Sequence, residues 1–143
     1  MKKTVCLITG TRAEWGLLRR VAETLRASDT LQLRLIVTGA HLSDAFGRTV
    51  REIEAAGFTP DECIDILKFG TASAEATART VAYTIEQFTG SFTAHRPDMC
   101  LVLGDRYEIF AAGTAAAILG IPLAHISGGD VTRGAADEFY RHC

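Results

Sequence analysis

The chain reads as an α/β domain built on a doubly wound parallel sheet. Short apolar runs alternate with longer segments of helical periodicity along its 143 residues. Parallel strands need helical crossovers and are buried on both faces, so their sequences are nearly continuous apolar runs. The stretches that follow these runs are rich in glycine and charge. In such sheets ligands bind outside the carboxyl ends of the strands, so these stretches are where function is sought.

Residues 4–9 (TVCLIT) form the first predicted strand, and residues 14–27 a helix with Leu17, Leu18, Val21, Ala22 and Leu25 on one face. Residues 31–39 (LQLRLIVTG) give the second strand, 50–56 a short helix ended by Gly57, and 62–67 (ECIDIL) a third strand. A helix over 74–93 sets Val81, Ile85, Phe88 and Phe92 at helical spacing. Pro97 ends that pattern, and 99–104 (MCLVLG) is a buried strand. The alanine-rich segment 107–119 predicts a helix able to pack closely on the sheet. Pro122 opens the last strand, 123–127 (LAHIS).

The length suits one domain with a real core. With 48% hydrophobic and 22% charged residues the composition is that of a soluble globular protein, and a net charge of -2 leaves no footprint for nucleic acid. No basic cluster marks a membrane-facing surface, and no run approaches the roughly 18 apolar residues of a span. The start MKKTVCLITG is too short in its apolar part for a signal peptide, because TGTRAEWG follows at once. Cys6, Cys63, Cys100 and Cys143 are far apart and show no metal-ligand spacing. The first three lie in apolar runs and read as core thiols of a cytoplasmic protein.

The predicted topology brings TGTRAEWG (9–16), TGAHLSD (38–44), GDRYE (104–108) and SGGDVTRGAADE (127–138) to one rim. In the first, Gly10 permits a sharp exit from the strand, Thr11 can cap the helix, and the free N–H groups with Arg12 suit an anion. No GxGxxG or P-loop pattern is present. Asp105 and Arg106 stand at the mouth of a buried strand, where partial desolvation suits a carboxylate to proton transfer; the alternative is a helix-capping Asp beside a surface arginine. Gly128 and Gly129 allow close backbone approach to a ligand. Asp130, Asp137 and Glu138 add carboxylates, with Arg141 and His142 a helical turn beyond. Asp137 and Glu138 equally suit the first turn of a helix. His41 and His142 are the better-placed histidines; His95 reads as a loop residue and His125 as a core histidine. A site from His125, Asp130 and His142 matches no metal spacing, so no metal is expected.

GTRAEWG, TGAHLS, LGDRYE and HISGGDVTRGAADEFYRH, in this order and spacing, resemble the hydrolysing UDP-N-acetylglucosamine 2-epimerases of sialic acid biosynthesis. The resemblance runs from Val5 to His142. It implies the N-terminal half of a two-domain glycosyltransferase-B type fold, with two Rossmann-like domains facing a cleft. It also implies elimination of UDP across C1 and C2 to a glycal, then hydration to N-acetylmannosamine, without metal or other cofactor. Asp105 and Asp137 match the family's acid/base positions, with Glu138 as neighbour. Gly10, Arg12, Gly16, His41, Arg106, Ser127, Gly128, Asp130 and Arg141 fall at substrate-binding positions. A nucleotide sugar is the implied partner, and a homodimer or homotetramer the implied full-length assembly.

The family often carries Glu or His where this chain has Ser127, so either Asp130 takes part of that role or the nucleotide sugar differs, as in the branch acting on bacillosamine-type and legionaminic acid precursors. Trp15 and Gly16 stand where Tyr and Ser are common. Family members are considerably longer, which implies a piece ending at the cleft, with little or no turnover alone. The rival readings are a stand-alone sugar-nucleotide binding module, a glycosyltransferase of the same fold, and a flavodoxin-like electron carrier.

Overall fold

The computed structural model describes residues 1–70 and 72–143. Its strands are β1 (Lys3–Thr9), β2 (Leu31–Thr38), β3 (Glu62–Ile64), β4 (Met99–Leu103) and β5 (Leu123–Ile126). They form a five-stranded sheet in the order β3-β2-β1-β4-β5, with every pairing parallel. The helices are α1 (Arg12–Ala27), α2 (Val50–Ala55), α3 (Ala74–Ala94), α4 (Tyr107–Ile118) and α5 (Asp137–His142), and short 3-10 turns occupy Gly39–Leu42 and Asp44–Phe46. The chain winds one way from β1 to β3, then returns to lay β4 on the other side of β1. The carboxyl ends of β1 and β4 therefore flank the switch point where open α/β sheets hold ligands.

Alternation along the strands makes two cores. Leu7, Leu35 and Val37 pack with Trp15, Leu18 and Ala22 of α1 and with Phe58 on one face. Cys6, Ile8, Ile36 and Val102 pack with Phe88 and Phe92 of α3 and the alanines of α4 on the other. A doubly wound α/β sheet is thus present as the apolar runs predict.

Several local expectations are corrected. Leu17 is 67% exposed, because the buried stripe of α1 runs through Trp15, Leu18, Ala22 and Leu25. On α3 the buried stripe is Ala76, Thr80, Thr84, Phe88 and Phe92, leaving Val81 and Ile85 only half-buried. Thr80 and Thr84 enter the core because their hydroxyls donate to the carbonyls of Ala76 and Thr80, one turn back. β3 stops at Ile64, where the Asp65 side chain accepts from the Leu67 amide and turns the chain out of the sheet. Cys63 is exposed on that short edge strand rather than in the core, whereas Cys6 and Cys100 are buried; all four cysteines are free. Among the described residues, no helix is long and apolar enough to cross a membrane.

Candidate active site

The turn leaving β1 is built as its sequence directs. Thr11 caps α1, and a full capping box forms: Glu14 donates its backbone N–H to Thr11 Oγ1 at 3.3 Å while its carboxylate reaches back to the Thr11 N–H. Glu14 Oε2 also accepts from the Gly10 amide at 2.6 Å. Arg12 points outward, with its side chain 74% exposed and Nε 3.1 Å from Glu52 of α2. A cavity of about 510 Å³ opens here, lined by Thr11, Arg12, Phe46, Thr49, Arg106 and Tyr107 among others. Gly16 lies on the exposed side of α1, while Trp15 is turned into the core edge-on against Phe58.

Beneath the rim lies a buried polar layer. His41 is fully buried, with Nε2 3.0 Å from Thr9 Oγ1 and Nδ1 2.8 Å from Thr49 Oγ1. Thr9 donates to the Thr11 carbonyl, which leaves its oxygen to accept from Nε2–H, and Nδ1 then accepts from Thr49. Burial holds the imidazole neutral, with its pKa lowered to about 4. With both nitrogens occupied, His41 ties the end of β2 to β1 and α2 and presents nothing to the rim.

Glu108 is 1% exposed and forms a 2.6 Å ion pair with Arg106 Nε. Glu14 is 5% exposed, and burial raises its carboxyl to about 7, against the lowering effect of the Gly10 amide. Sequence reasoning missed this pair as site residues. Glu14 was visible as the fourth residue of a capping box, and Glu108 as the end of GDRYE, but their convergence required β1 and β4 to be neighbours.

The loops after β4 and β5 meet at Asp105. Arg141 of α5 pairs with Asp105 through Nη2 and lies 3.8 Å from Asp130 through Nη1. The Arg141 side chain is only 10% exposed. Gly104, Asp105, Arg106, His125, Tyr140 and Arg141 line a second recess of about 450 Å³ with neighbouring residues, so Arg106 borders both. α5 is too short to persist alone. It is docked by Phe139 and Tyr140, whose rings lie 6.0 and 5.5 Å from that of Phe110 on α4.

His125 Nε2–H donates to the Gly104 carbonyl at 2.6 Å, joining β5 to the β4 exit. Gly128 lies over this ring: a Cβ there would sit 2.6 Å from Nδ1. Ser127 is in the left-handed region at φ 62, which favours glycine. At the start of α5, Asp137 is exposed and Glu138 lies 3.4 Å from His142. The rim thus unites Asp105, Asp130 and Arg141, while Asp137 makes no ion pair among the described residues.

The UDP-N-acetylglucosamine 2-epimerase family model matches residues 23–143. The chain belongs to this family. Among relatives of this UDP-N-acetylglucosamine 2-epimerase family member, a GDP/UDP-N,N'-diacetylbacillosamine 2-epimerase (hydrolyzing) of Campylobacter jejuni is 37% identical, over 99% of this chain and 36% of the relative. The polysialic acid biosynthesis protein P7 of Escherichia coli is 39% identical, over 98% of this chain and 36% of that protein. The chain therefore spans little more than a third of the length of these relatives. A crystal structure of UDP-GlcNAc 2-epimerase from Neisseria meningitidis bound to UDP-GlcNAc superposes with a TM-score of 0.84 at 24% identity, covering 97% of this chain and 36% of the other. This is the fold of UDP-GlcNAc 2-epimerases of the glycosyltransferase-B type.

Proposed function

We propose that this chain supplies the acid/base face of a hydrolysing 2-epimerase acting on a UDP-linked N-acetylated hexosamine. The observation that carries the reading is the convergence of Asp105, Asp130 and Arg141 on a rim whose adjoining recess is lined by Arg12 and Arg106. Elimination needs a base at C2 and cations at the departing diphosphate. The C2–H electrons become the C1=C2 bond of the glycal, and the C1–O electrons leave with UDP. Water then adds its oxygen to C1, and a proton returns to C2 on the opposite face, giving N-acetylmannosamine.

On this reading Asp105, Asp137 and Glu138 carry the proton transfers, an effect of roughly 10²- to 10⁴-fold for a well-placed group. Arg141 orients Asp105. Arg12, Arg106 and the α1 N-terminus receive the diphosphate beside the Gly10 turn, for which an arginine fork and the positive end of a helix are suited. Ser127 and Gly128 carry the sugar-facing backbone. Asp130 takes part of the work of the ionisable residue that relatives often carry at position 127, because Arg141 draws it toward Asp105. His41 and Gly16 contribute through the fold. The full activity belongs to a protein of the relatives' length, in which homo-oligomers form.

UDP-N-acetylglucosamine is the first substrate on this reading. A UDP-linked N,N'-diacetylated sugar is the second, favoured by the name of the Campylobacter relative. The test is incubation with each in D₂O of this chain, and of a chimera joining it to the remaining portion of that relative. NMR then follows UDP release and deuterium at C2. C2-deuterated N-acetylmannosamine from the chimera supports the first substrate, and the corresponding product from the diacetylated sugar alone supports the second. UDP release with protium kept at C2 rules out the elimination, and sugar transfer to an acceptor marks a glycosyltransferase.

A further inference from the structure

Gly10 sits between two carboxyl groups. On one side Glu14 Oε2 accepts from the Gly10 and Thr11 amides at 2.6 and 3.2 Å. On the other, Glu108 packs so closely that a Cβ on Gly10 would lie 2.9 Å from its Cγ and Oε1. Both side chains are buried, and each keeps one oxygen, Glu14 Oε1 and Glu108 Oε2, wholly buried without a hydrogen-bond partner among the described residues. Two ionised carboxylates in this place would each lose hydration and repel the other.

The surrounding groups distribute the charge unequally. From the β4–α4 side, Arg106 forms its ion pair with Glu108, and Tyr107 stands beside it. From the turn after β2 comes His41, neutral at physiological pH. From α1 itself, Arg12 is drawn away to Glu52 of α2. Arg106 is thus the cation that acts on Glu14, and Glu108 already holds it. A proton on Glu14 removes the repulsion while its other oxygen keeps the two amides.

We propose, building on the nucleotide-sugar reading above, that Glu14 holds a proton across Gly10 from the ion-paired Glu108, and that this proton positions the Gly10–Thr11 turn for a nucleoside diphosphate. Protonated, Glu14 keeps the two amides but leaves the positive end of α1 uncompensated in charge, to the benefit of a diphosphate. Ionised, it compensates that end and repels the ligand. Binding of the anion and retention of the proton are then linked. Both residues act on the ligand through the turn, as positioning residues.

The test uses the free chain, with ¹³C-labelled Glu carboxyls and ¹⁵N amides, titrated from about pH 5 to 9 across the ordinary and raised carboxylate ranges. The Glu14 carboxyl and the Gly10 and Thr11 amides are expected to titrate together near neutrality. Glu14→Gln abolishes the transition, and Glu108→Gln lowers its midpoint by about one unit or more, because repulsion is removed and Arg106 is released. A Glu14 midpoint in the ordinary carboxylate range, or one that Glu108→Gln leaves unmoved, overturns the pair. Affinity for UDP-glucose, whose diphosphate diester does not titrate here, is then expected to weaken about tenfold per pH unit above the midpoint, and to be flat in Glu14→Gln. Binding independent of pH in the wild type overturns the linkage. No binding at any pH overturns the nucleotide-sugar reading and the linkage with it, while the carboxyl titration is judged without ligand.

Discussion

Arg141, in the last helix, and Asp105, just past β4, are 36 residues apart in sequence and joined by an ion pair that closes the carboxyl rim of the sheet. The pair links the docking of α5 to the orientation of the leading acid/base candidate. Arg141→Met is expected to cost about 1.5–3 kcal/mol of stability, the usual worth of a hydrogen bond to a charged group. In the active chimera it should lower kcat/KM by about 100-fold or more, since Asp105 loses its orientation. Arg141→Lys should recover stability better than activity, because an ammonium lacks the planar fork that reaches both Asp105 and Asp130. Urea unfolding and steady-state kinetics on the same variants check this.

The pH dependence of stability should show two opposed slopes. The Glu14 carboxyl is raised from 4.5 to about 7, so between these values the folded chain holds a proton the unfolded chain lacks, and stability falls as pH rises. The shift corresponds to about 3 kcal/mol. His41 is lowered from 6.5 to about 4, so in that window the unfolded chain holds the extra proton, and stability falls as pH drops. The slopes offset each other where the windows overlap. Glu14→Gln should therefore leave a curve that rises with pH up to the ordinary histidine range, and His41→Gln one that falls with pH up to neutrality. Urea midpoints, compared with wild type at each pH, provide the check.

Gly10→Ala should destabilise the fold, since the added Cβ would lie 2.9 Å from two atoms of a fully buried Glu108. A cost of about 1–3 kcal/mol is expected for overpacking of this kind. Combining it with Glu108→Ala should recover most of the loss from overpacking, which a double-mutant cycle in urea would read.

Gly128→Ala should act through His125, because the new Cβ would lie 2.6 Å from Nδ1 and drive the ring from the Gly104 carbonyl. The expected signature is a loss of about 1–3 kcal/mol with a shifted His125 ring resonance, and the loss should be smaller when His125 is already Ala. Equal losses in the two backgrounds would show that the contact with His125 is not the cause.

What the sequence by itself determined is the order and type of the elements. Apolar runs such as residues 99–104 are legible because a strand buried on both faces must be apolar throughout, and Thr11 announces a helix start because a cap is made within a few consecutive residues. The same locality made Gly10, Arg12 and Asp105 visible at strand ends. Tertiary structure alone decided which of those residues meet. Leu17 and Cys63 carry apolar character in sequence yet face solvent, since the face of a helix or the end of an edge strand is set by what packs against it. His41 looked like a rim residue and lies beneath it, held by Thr9 and Thr49 from other elements. Glu14 and Glu108 became a buried pair because the chain lays β4 beside β1 rather than beside β3. Burial and charge proximity depend on such long-range neighbours, and no local pattern encodes them.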